Sequence, residues 1–362
     1  MKKKTAILTW HYYHNFGSAL QAYALQTALE QQGVDVKILN YRNPRFAFRP
    51  YEWALKRNLG KIAEHLPFPK AERYTYRFLR FRKDYLHESL PVRDPAKLIP
   101  QVKDCSHIVC GSDQIWAPNV FHPVYMADFV PGDRISKLSY AASVGLNEIP
   151  ANLRDTYRNL LSDFKAVSVR EDAGGKLLRD CCGIDSVTVL DPTLLLTAQE
   201  YEKLEKAVEV KSPYLFCYFL NENHQYRQSV EAYAKKHGLQ IIGYSQNRDD
   251  SSWMDLRKYI GPREFLWLVH HAAAVCTDSY HGTIFSLLYH KEVFSLERFS
   301  SDDPVCQNSR IYQLDAWFGI GERILKQPYA LESCPPIDYG RFEELLAAAR
   351  EQSIHFLREG LR

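Results

Sequence analysis

Short apolar runs alternate with longer helix-like runs along the chain, and this alternation limits the fold more than any other feature. In the first half, the strand-like run Thr5–Trp10 precedes the helix-like run Ser18–Gln32, which Gly33 ends. The second half repeats the order with Tyr214–Phe219 and then Gln225–Gly238. Alternating strands and helices build parallel sheets that are covered by helices on both faces. The sequence therefore predicts an α/β protein with Rossmann-like, doubly wound domains.

The point at which the series restarts predicts the division into domains. At about 100–200 residues per domain, a chain of 362 residues suggests two. We place an N-terminal domain at 1–190, a C-terminal domain at 191–340 and a closing amphipathic helix at 341–362. The two domains are expected to face each other across a cleft. A basic aromatic segment at about 42–83 interrupts the first series and is predicted to be a helical insertion.

The composition is that of a globular protein. Hydrophobic residues make up 46% and charged residues 25%, which excludes collagen, a coiled coil and a mostly disordered chain. No run approaches the ~18 uncharged apolar residues of a membrane span. The run Thr5–Trp10 is too short for the apolar core of a secretory signal, and eight cysteines are too few for a disulfide scaffold. We therefore expect a cytoplasmic protein.

Positive charge is concentrated in the segment 42–83. It holds twelve Lys or Arg residues and three Asp or Glu residues, interleaved with aromatic ones. Such a segment suits an anionic partner, and the alternative is a pair of amphipathic helices with solvated charged faces. Nucleic acid is not expected as a partner, because no nucleic-acid-binding motif accompanies the charge.

Polar clusters follow the predicted strands, at the edge where open parallel sheets bind ligands. Helix N-termini at this edge offer unpaired N–H groups and a positive dipole end. The first cluster contains Asn15, Gly17 and Ser18, which is typical of an anion or sugar-hydroxyl site, with an ordinary capped helix as the alternative.

The second cluster follows the strand-like run Cys105–Cys110. In it, Asp113 is a candidate to deprotonate a substrate hydroxyl, although an Asx turn is the alternative. The neighbouring Ser112, Gln114 and Trp116 suit a contact with a saccharide, because planar polar groups and aromatic faces match a sugar ring.

Two further strand ends carry charged groups. Arg170 offers a planar fork to a carboxylate or phosphate, unless it only pairs with its acidic neighbours at the surface. His281, at the mouth of a helix, can titrate near neutrality and reach a ligand. Asp278 is a candidate to fix the tautomer of His281, provided that the turn brings the two together.

The sequence does not require a metal, and it does not exclude one. It contains no HExxH motif, no CxxC pair and no acidic cluster with metal-ligand spacing. His270 and His271 lie on a predicted helix and are interpreted as structural residues.

Six motifs, taken together and in this order, resemble the polysaccharide pyruvyl transferase family. An ordered set is much more specific than any single motif. The matching stretches are Asn15–Leu25, Val109–Trp116, Ser139–Gly145, Ser168–Glu171, Leu190–Thr193 and Thr277–Gly282.

The resemblance implies a fold similar to the B-type glycosyltransferases. It also implies transfer of a pyruvyl group from phosphoenolpyruvate to a sugar diol of a cell-surface polysaccharide or its precursor, which gives a cyclic pyruvate ketal. Phosphoenolpyruvate is then a co-substrate and no cofactor is required. Arg170 matches the family arginine suited to the donor's carboxylate or phosphate, and His281 matches the histidine thought to act as general acid or base.

The residues and the resemblance together give each cluster an expected role. The catalytic group is His281, Asp278 and Asp113; the donor-binding group is Arg170, Asn15, Gly17, Ser18, Ser279 and Gly282; the acceptor-binding group is Ser112, Gln114, Trp116 and Tyr280. Many family members carry an arginine beside the histidine, where this chain has Tyr280. Arg310 and Arg263 are the candidates to supply that cation.

Two other functions stay open at this point. A nucleotide-sugar glycosyltransferase of the same fold would release a nucleotide, whereas a non-catalytic sugar-binding relative would keep the fold without a donor site. If the acceptor is a lipid-linked sugar diphosphate, the basic segment has a use, through contact with the diphosphate or peripheral contact with the inner membrane face.

Overall fold

The predicted α/β class is confirmed by two parallel sheets, one in each half of the chain. The computed structural model describes residues 4–43, 70–130, 134–210, 213–221, 224–245, 253–257, 259–300, 303, 305–326 and 331–362. The predicted domain boundaries at 190 and 340 stay a prediction.

The first half contains a five-stranded sheet in the order β2-β1-β3-β4-β5, with every pair parallel. Its strands are β1 (Lys4–Leu8), β2 (Val36–Ile38), β3 (Cys105–Cys110), β4 (Ser136–Ser139) and β5 (Phe164–Ala166). Its helices are α1 (Phe16–Gln31), α2 (Lys70–Tyr85), α3 (Ala151–Leu161) and α4 (Asp172–Cys182). A small parallel pair joins β6 (Ser168–Val169) to β7 (Val187–Thr188).

The second half contains a six-stranded parallel sheet in the order β10-β9-β8-β11-β12-β13. Its strands are β8 (Tyr214–Phe219), β9 (Gln240–Ser245), β10 (Asp255–Leu256), β11 (Ala274–Thr277), β12 (Glu292–Leu296) and β13 (Ile324–Leu325). The helices from here to the end of the chain are α5 (Ala198–Glu202), α6 (Arg227–Lys236), α7 (Pro262–His270), α8 (Tyr280–Leu288), α9 (Ser309–Phe318) and α10 (Tyr339–Gly360).

Local sequence explains the elements nearest the site. The Asn15 side chain accepts a hydrogen bond from the Ser18 N–H at 3.0 Å and so caps α1, whose interior is rich in Ala, Leu and Gln. The chain leaves this helix through Gly33, at a φ of 78° that glycine adopts without strain. All six residues of β8 are buried, as expected for a central strand covered on both faces.

The strand orders place one topological switch point in each sheet. In the first sheet, β1 lies between β2 and β3; in the second, β8 lies between β9 and β11. Loops leaving such neighbouring strands in opposite directions open a crevice at their carboxyl ends, where ligands bind in this class of sheet. The polar clusters after β1, β3 and β11 therefore belong to the two positions that the topology favours for a site.

One hydrophobic cluster contains buried residues of both halves, each half also has a cluster of its own, and α10 connects the two halves. Near its start, the hydroxyl of Tyr339 donates to the Lys291 carbonyl beside β12. Towards its end, the Ser353 hydroxyl accepts from the Leu190 N–H at 3.0 Å, and Gly360 packs against Leu138 of β4. The helix thus packs against both sheets and stabilises their relative position.

Within the described part of the basic segment 42–83, three of the four aromatic side chains lie in the core or pack against it. Phe78 and Phe81 on α2 are buried, and the hydroxyl of Tyr74 donates to the carbonyl of His14 at 2.9 Å. Arg82 is also buried, where it pairs with an acidic side chain of the first half. For this helix, the interpretation as an amphipathic element fits better than that of an exposed basic surface; residues 44–69 lie outside the described residues. No described helix is long and apolar enough to span a bilayer.

Candidate active site

The start of α1 is inserted between the two halves. The ring of Phe16 stacks on Phe265 of α7 at 4.7 Å between centroids. This contact brings the next residue, Gly17, against His281 at the start of α8: a Cβ added to Gly17 would lie 2.1 Å from His281 Nδ1. Gly17 was predicted to belong to the donor-binding group. The structure shows that the group packed against it is the candidate catalytic imidazole.

The ends of β1 and β3 meet through Ser18 and Asp113. The Ser18 hydroxyl donates to Asp113 Oδ2 at 2.5 Å, while Asp113 Oδ1 accepts from the Gln114 N–H at 2.8 Å. Asp113 has a φ of 73°, an uncommon conformation outside glycine that costs of order 1–3 kcal/mol and occurs most often at functional sites. The carboxylate is therefore held by the fold at the carboxyl edge of the first sheet.

Asp191 collects groups from both halves. Its Oδ1 accepts from the N–H and hydroxyl of Thr193, at 3.0 and 2.7 Å. Its Oδ2 lies 2.9 Å from Arg170 Nη1, 3.3 Å from Ser112 Oγ and 3.5 Å from His281 Nε2. Burial would raise the pKa of Asp191, but His281, Arg170 and the Thr193 hydrogen bonds outweigh it and lower this pKa. Asp191 is therefore an ionised carboxylate that joins Arg170 to His281.

Several polar atoms around Asp191 are buried without a partner. Arg170 is 1% exposed, and its Nε and Nη2 have no hydrogen-bond partner among the described residues. His281 is 8% exposed, and its Nε2 likewise forms no hydrogen bond in the described part of the chain. Buried donors without partners cost roughly 1–3 kcal/mol each. Such donors are expected where a ligand completes the hydrogen bonding.

Glu171 holds the loop after β4. Its Oε1 accepts from the Ser143 hydroxyl at 2.9 Å and from the backbone N–H groups of Val144 and Gly145, both at 3.0 Å. Its Oε2 lies 3.8 Å from Arg170 Nε. Burial raises the pKa of Glu171 despite this cation and these hydrogen bonds. The end of the Ser139–Gly145 motif is thus packed around a carboxylate, and Arg170 pairs inside the protein and not on its surface.

The structure corrects the partner predicted for His281. Asp278 accepts the backbone N–H groups of Leu220 and Asn221, at 2.7 and 2.9 Å, and so fixes the loop after β8. The carboxylate that lies opposite His281 Nε2 is Asp191. Asp278 and His281 are close in sequence, but their side chains do not meet, because the turn directs the Asp278 side chain back towards β8.

Of the residues beside His281, Ser279 and Gly282 shape the start of α8, and Tyr280 contacts Arg170. The Ser279 hydroxyl accepts from the Gly282 N–H at 3.2 Å and caps α8. A Cβ on Gly282 would lie 2.5 Å from Thr277 Oγ1, so this glycine allows the helix to pack on β11. Tyr280 is buried, and its ring lies 4.7 Å from the guanidinium carbon of Arg170, a cation–π distance.

Of the two arginines expected to supply a further cation, Arg310 lies at the site. Its guanidinium carbon is 6.0 Å from the centroid of the Tyr280 ring. Arg263 donates to the carbonyl of Leu204 at 2.6 Å and stacks over Tyr85, which places it elsewhere. Arg310 is therefore the second guanidinium beside Tyr280.

Two residues that were predicted to contact the acceptor are buried, and the structure corrects both predictions. Trp116 is 0% exposed, its indole N–H donates to the Tyr125 carbonyl at 3.2 Å, and its ring packs on Phe164, so a sugar cannot reach its faces. Ser112 is also fully buried, and its hydroxyl donates to the Ala141 carbonyl at 2.9 Å. Gln114 is partly exposed and contacts the second half of the chain.

The other predicted residues are brought together, and two were missed. Those that converge at the facing sheet edges are Asn15, Gly17, Ser18, Asp113, Arg170, Tyr280 and His281. Glu171 was considered only as a surface partner of Arg170, and no role was assigned to Asp191 or to Gln307, whose side-chain oxygen accepts from Gln114 Nε2 at 2.9 Å. Asp191 was present in a quoted motif, directly after an apolar run, and that position was the available signal.

One group of described residues has the donor set of a metal site. Glu205, His270 and His271 offer ligand atoms that all lie within 4.8 Å of one another. His270 Nδ1 is already 2.8 Å from the Glu205 carboxylate, and His271 Nδ1 lies 3.0 Å from the Trp267 carbonyl. Both rings also stack on aromatic neighbours. The existing contacts agree with the structural interpretation of these histidines.

Comparisons with known proteins concern the family and the fold of the chain. A family model described as polysaccharide pyruvyl transferase matches residues 15–300. No curated protein sequence matches the chain significantly.

Solved structures with the same fold cover nearly the whole chain. The wall teichoic acid polymerase TagF is 11% identical with a TM-score of 0.51, over 99% of this chain and 87% of that one. The UDP-N-acetylglucosamine 2-epimerase from Rickettsia bellii is 9% identical with a TM-score of 0.55, over 99% and 96%. A putative UDP-N-acetylglucosamine 2-epimerase from Listeria monocytogenes is 9% identical with a TM-score of 0.54, over 98% and 91%. The expected B-type glycosyltransferase fold is confirmed.

Proposed function

Because this chain belongs to the polysaccharide pyruvyl transferase family, we propose that it transfers a pyruvyl group from phosphoenolpyruvate to two hydroxyls of a sugar and releases inorganic phosphate. One observation carries the proposal. Arg170, after β6, and His281, at the start of α8, meet at a single oxygen of Asp191, and Arg170 Nε, Arg170 Nη2 and His281 Nε2 are buried without a hydrogen bond among the described residues. A cation and a proton donor side by side suit a small anion that must be protonated.

Binding of the donor falls to Arg170. Its Nε and Nη2 form a planar pair of N–H groups that suits a carboxylate. The Nη1 group is already used by Asp191, so the guanidinium is fixed before the donor arrives. Fixed donors stabilise charge at low reorganisation cost because they need not turn during the reaction.

Proton transfer falls to His281 and Asp113. His281 protonates the methylene carbon of phosphoenolpyruvate, and the central carbon becomes electrophilic. A sugar hydroxyl adds to that carbon and gives its proton to Asp113. The C–O bond to phosphate then breaks, and the departing phosphate takes up the proton held by Asp113. A second hydroxyl adds to the same carbon, and its proton restores His281. The products are the cyclic ketal and inorganic phosphate.

Asp191 acts in this scheme as a positioning residue. Its carboxylate lies 3.5 Å from His281 Nε2 and so positions the imidazole ring. The same carboxylate holds Arg170, so one group sets the distance between the anion-binding cation and the proton donor.

The fold neighbours support a second candidate, transfer of a glycosyl group from a nucleotide sugar. The TagF structure is described with CDPG, and the epimerases are named for UDP-N-acetylglucosamine. The two reactions differ in the leaving group, since one releases inorganic phosphate and the other a nucleotide.

The test is incubation of the protein with phosphoenolpyruvate and candidate lipid-linked or nucleotide-linked sugars, followed by mass spectrometry and phosphate assay. Loss of one catalytic proton donor typically costs about 10²–10⁴-fold in rate, so we expect that loss for His281→Gln. His355→Gln, at an exposed position of α10, is the matched control. Nucleotide release, or a normal ketal yield from His281→Gln, would reject the proposal.

A further inference from the structure

The guanidinium groups of Arg170 and Arg310 both lie beside the ring of Tyr280. They differ in whether a described carboxylate forms an ion pair with them. The Arg170 carbon lies 4.7 Å from the ring centroid, and the Arg310 carbon lies 6.0 Å from it. Arg170 forms an ion pair with Asp191 at 2.9 Å. For Arg310, no carboxylate in the described part of the chain lies within ion-pair distance.

Neutral groups hold Arg310 in place. Its Nη2 donates to the side-chain oxygen of Gln307 at 2.9 Å, and its Nε donates to the Gln307 carbonyl at 3.3 Å. The same side-chain oxygen accepts from Gln114 Nε2 at 2.9 Å. Gln114 follows Asp113, so this contact ties Arg310 on α9 to the end of β3 in the other half.

The charge of Arg310 is only partly compensated, because Glu171 and Asp113 act on it from a distance and neither forms an ion pair with it. Burial and the nearby charge of Arg170 lower the pKa of Arg310 to about 10, which still leaves it protonated at neutral pH. Two cations that face one aromatic ring repel each other in a medium less polar than water. A ligand with more negative charge than a single carboxylate would relieve that repulsion.

We infer that Arg310 binds the phosphate group of the donor, while Arg170 takes its carboxylate. The assignment to phosphoenolpyruvate rests on the proposed function, but the phosphate site itself does not. Arg170 already has one carboxylate partner, so a second monoanionic group completes its hydrogen bonding. Arg310 has no ion-pair partner among the described residues, so a dianionic phosphate matches its charge better. Hydrogen bonds through Gln307 and Gln114 hold the Arg310 side chain in place between the two halves.

Binding without turnover tests this inference. Titration calorimetry would measure the affinity of the protein for inorganic phosphate and phosphoenolpyruvate, and ligand-observed NMR its affinity for pyruvate. Hydrogen bonds to charged groups predict that Arg310→Gln weakens phosphate and phosphoenolpyruvate about 10- to 100-fold. Pyruvate, which has no phosphate, should change less than about twofold on the same reasoning.

Two controls make the result specific. Arg263→Gln removes the other candidate cation, and it should leave phosphate affinity unchanged. Arg310→Lys keeps the charge but loses the planar fork, so we expect a smaller loss and a usable variant if the glutamine substitution unfolds the chain.

The outcomes separate this inference from the proposed function. Arg310-dependent phosphate binding without pyruvyl transfer supports the inference and rejects the function. Wild-type protein that binds neither phosphate nor phosphoenolpyruvate would overturn the inference. So would an Arg310→Gln variant that binds phosphate normally or loses pyruvate to the same degree.

Discussion

Replacing Gly17 by alanine tests the packing of His281 most sharply. The new methyl group would lie 2.1 Å from His281 Nδ1, 2.5 Å from Cγ and 2.7 Å from Cε1. Carbon atoms pack best at about 3.5–4.0 Å, so the ring has to move by more than about 1 Å. Both residues lie in the first turn of a helix, and the displacement therefore changes the 3.5 Å separation between His281 Nε2 and Asp191.

The expected effect is large on turnover and modest on stability. A displacement of about 1 Å at a reacting group costs on the order of 100-fold in rate. Overpacking costs about 1–3 kcal/mol in the free energy of unfolding. Alanine in a helix recovers roughly 0.5–1 kcal/mol of this relative to glycine. The variant should therefore fold and fail to turn over.

Phosphate release and urea unfolding measure the two effects separately. Gly340→Ala is the matched control, because it also lies at the start of a helix and its Cβ would meet only Asp338 Oδ1, at 3.3 Å. We expect this control to keep normal activity and stability. A Gly17→Ala protein with wild-type turnover would refute the placement of His281 as the proton donor.

Three further substitutions test the neighbouring groups. Asp191→Asn should lower the free energy of unfolding at pH 7 by about 3–5 kcal/mol, because the buried Arg170 loses its partner. The pKa of Asp191 is depressed, so the stability that its carboxylate contributes is fully present above the ordinary value of 3.8 and is lost progressively as the pH falls below that value. Urea unfolding should therefore show that the free energies of unfolding of wild type and Asp191→Asn approach each other at low pH. Asp278→Asn should cost about 1–3 kcal/mol through the loop after β8, and the pH profile of its turnover should match the wild type, whereas Asp191→Asn should change that profile. Trp116→Phe should lower stability by about 1–3 kcal/mol and leave the KM for the acceptor unchanged; a raised KM would restore Trp116 as a sugar contact.

Much of the fold was predictable because both halves repeat a strong local pattern. Strands such as Cys105–Cys110 and Tyr214–Phe219 were predicted with the bounds observed, since they are short apolar runs between turn residues. Helix α9 was missed, although its buried Ile311, Leu314 and Phe318 follow the i, i+3, i+7 spacing of an amphipathic helix. The two-residue strands β10 and β13 carry too little sequence to show any pattern.

The sequence predicted which strand ends carry the site residues, but not which side chains those residues contact. Arg170 and His281 follow strands, and the topology alone brings such positions to one edge. Which carboxylate faces His281 depends on how the turn after β11 directs the Asp278 side chain, and sequence spacing does not contain that information. Trp116 was assigned to a sugar because of its neighbours, whereas its burial depends on packing against Phe164, almost fifty residues later in the chain.

A crystal structure of the protein with bound phosphoenolpyruvate measures the central claim directly. The account predicts the three-carbon anion between the two halves, with its carboxylate on the free nitrogen atoms of Arg170 and its methylene carbon within reach of His281. Density for the molecule at another surface, or contact with only one of these two side chains, would contradict it.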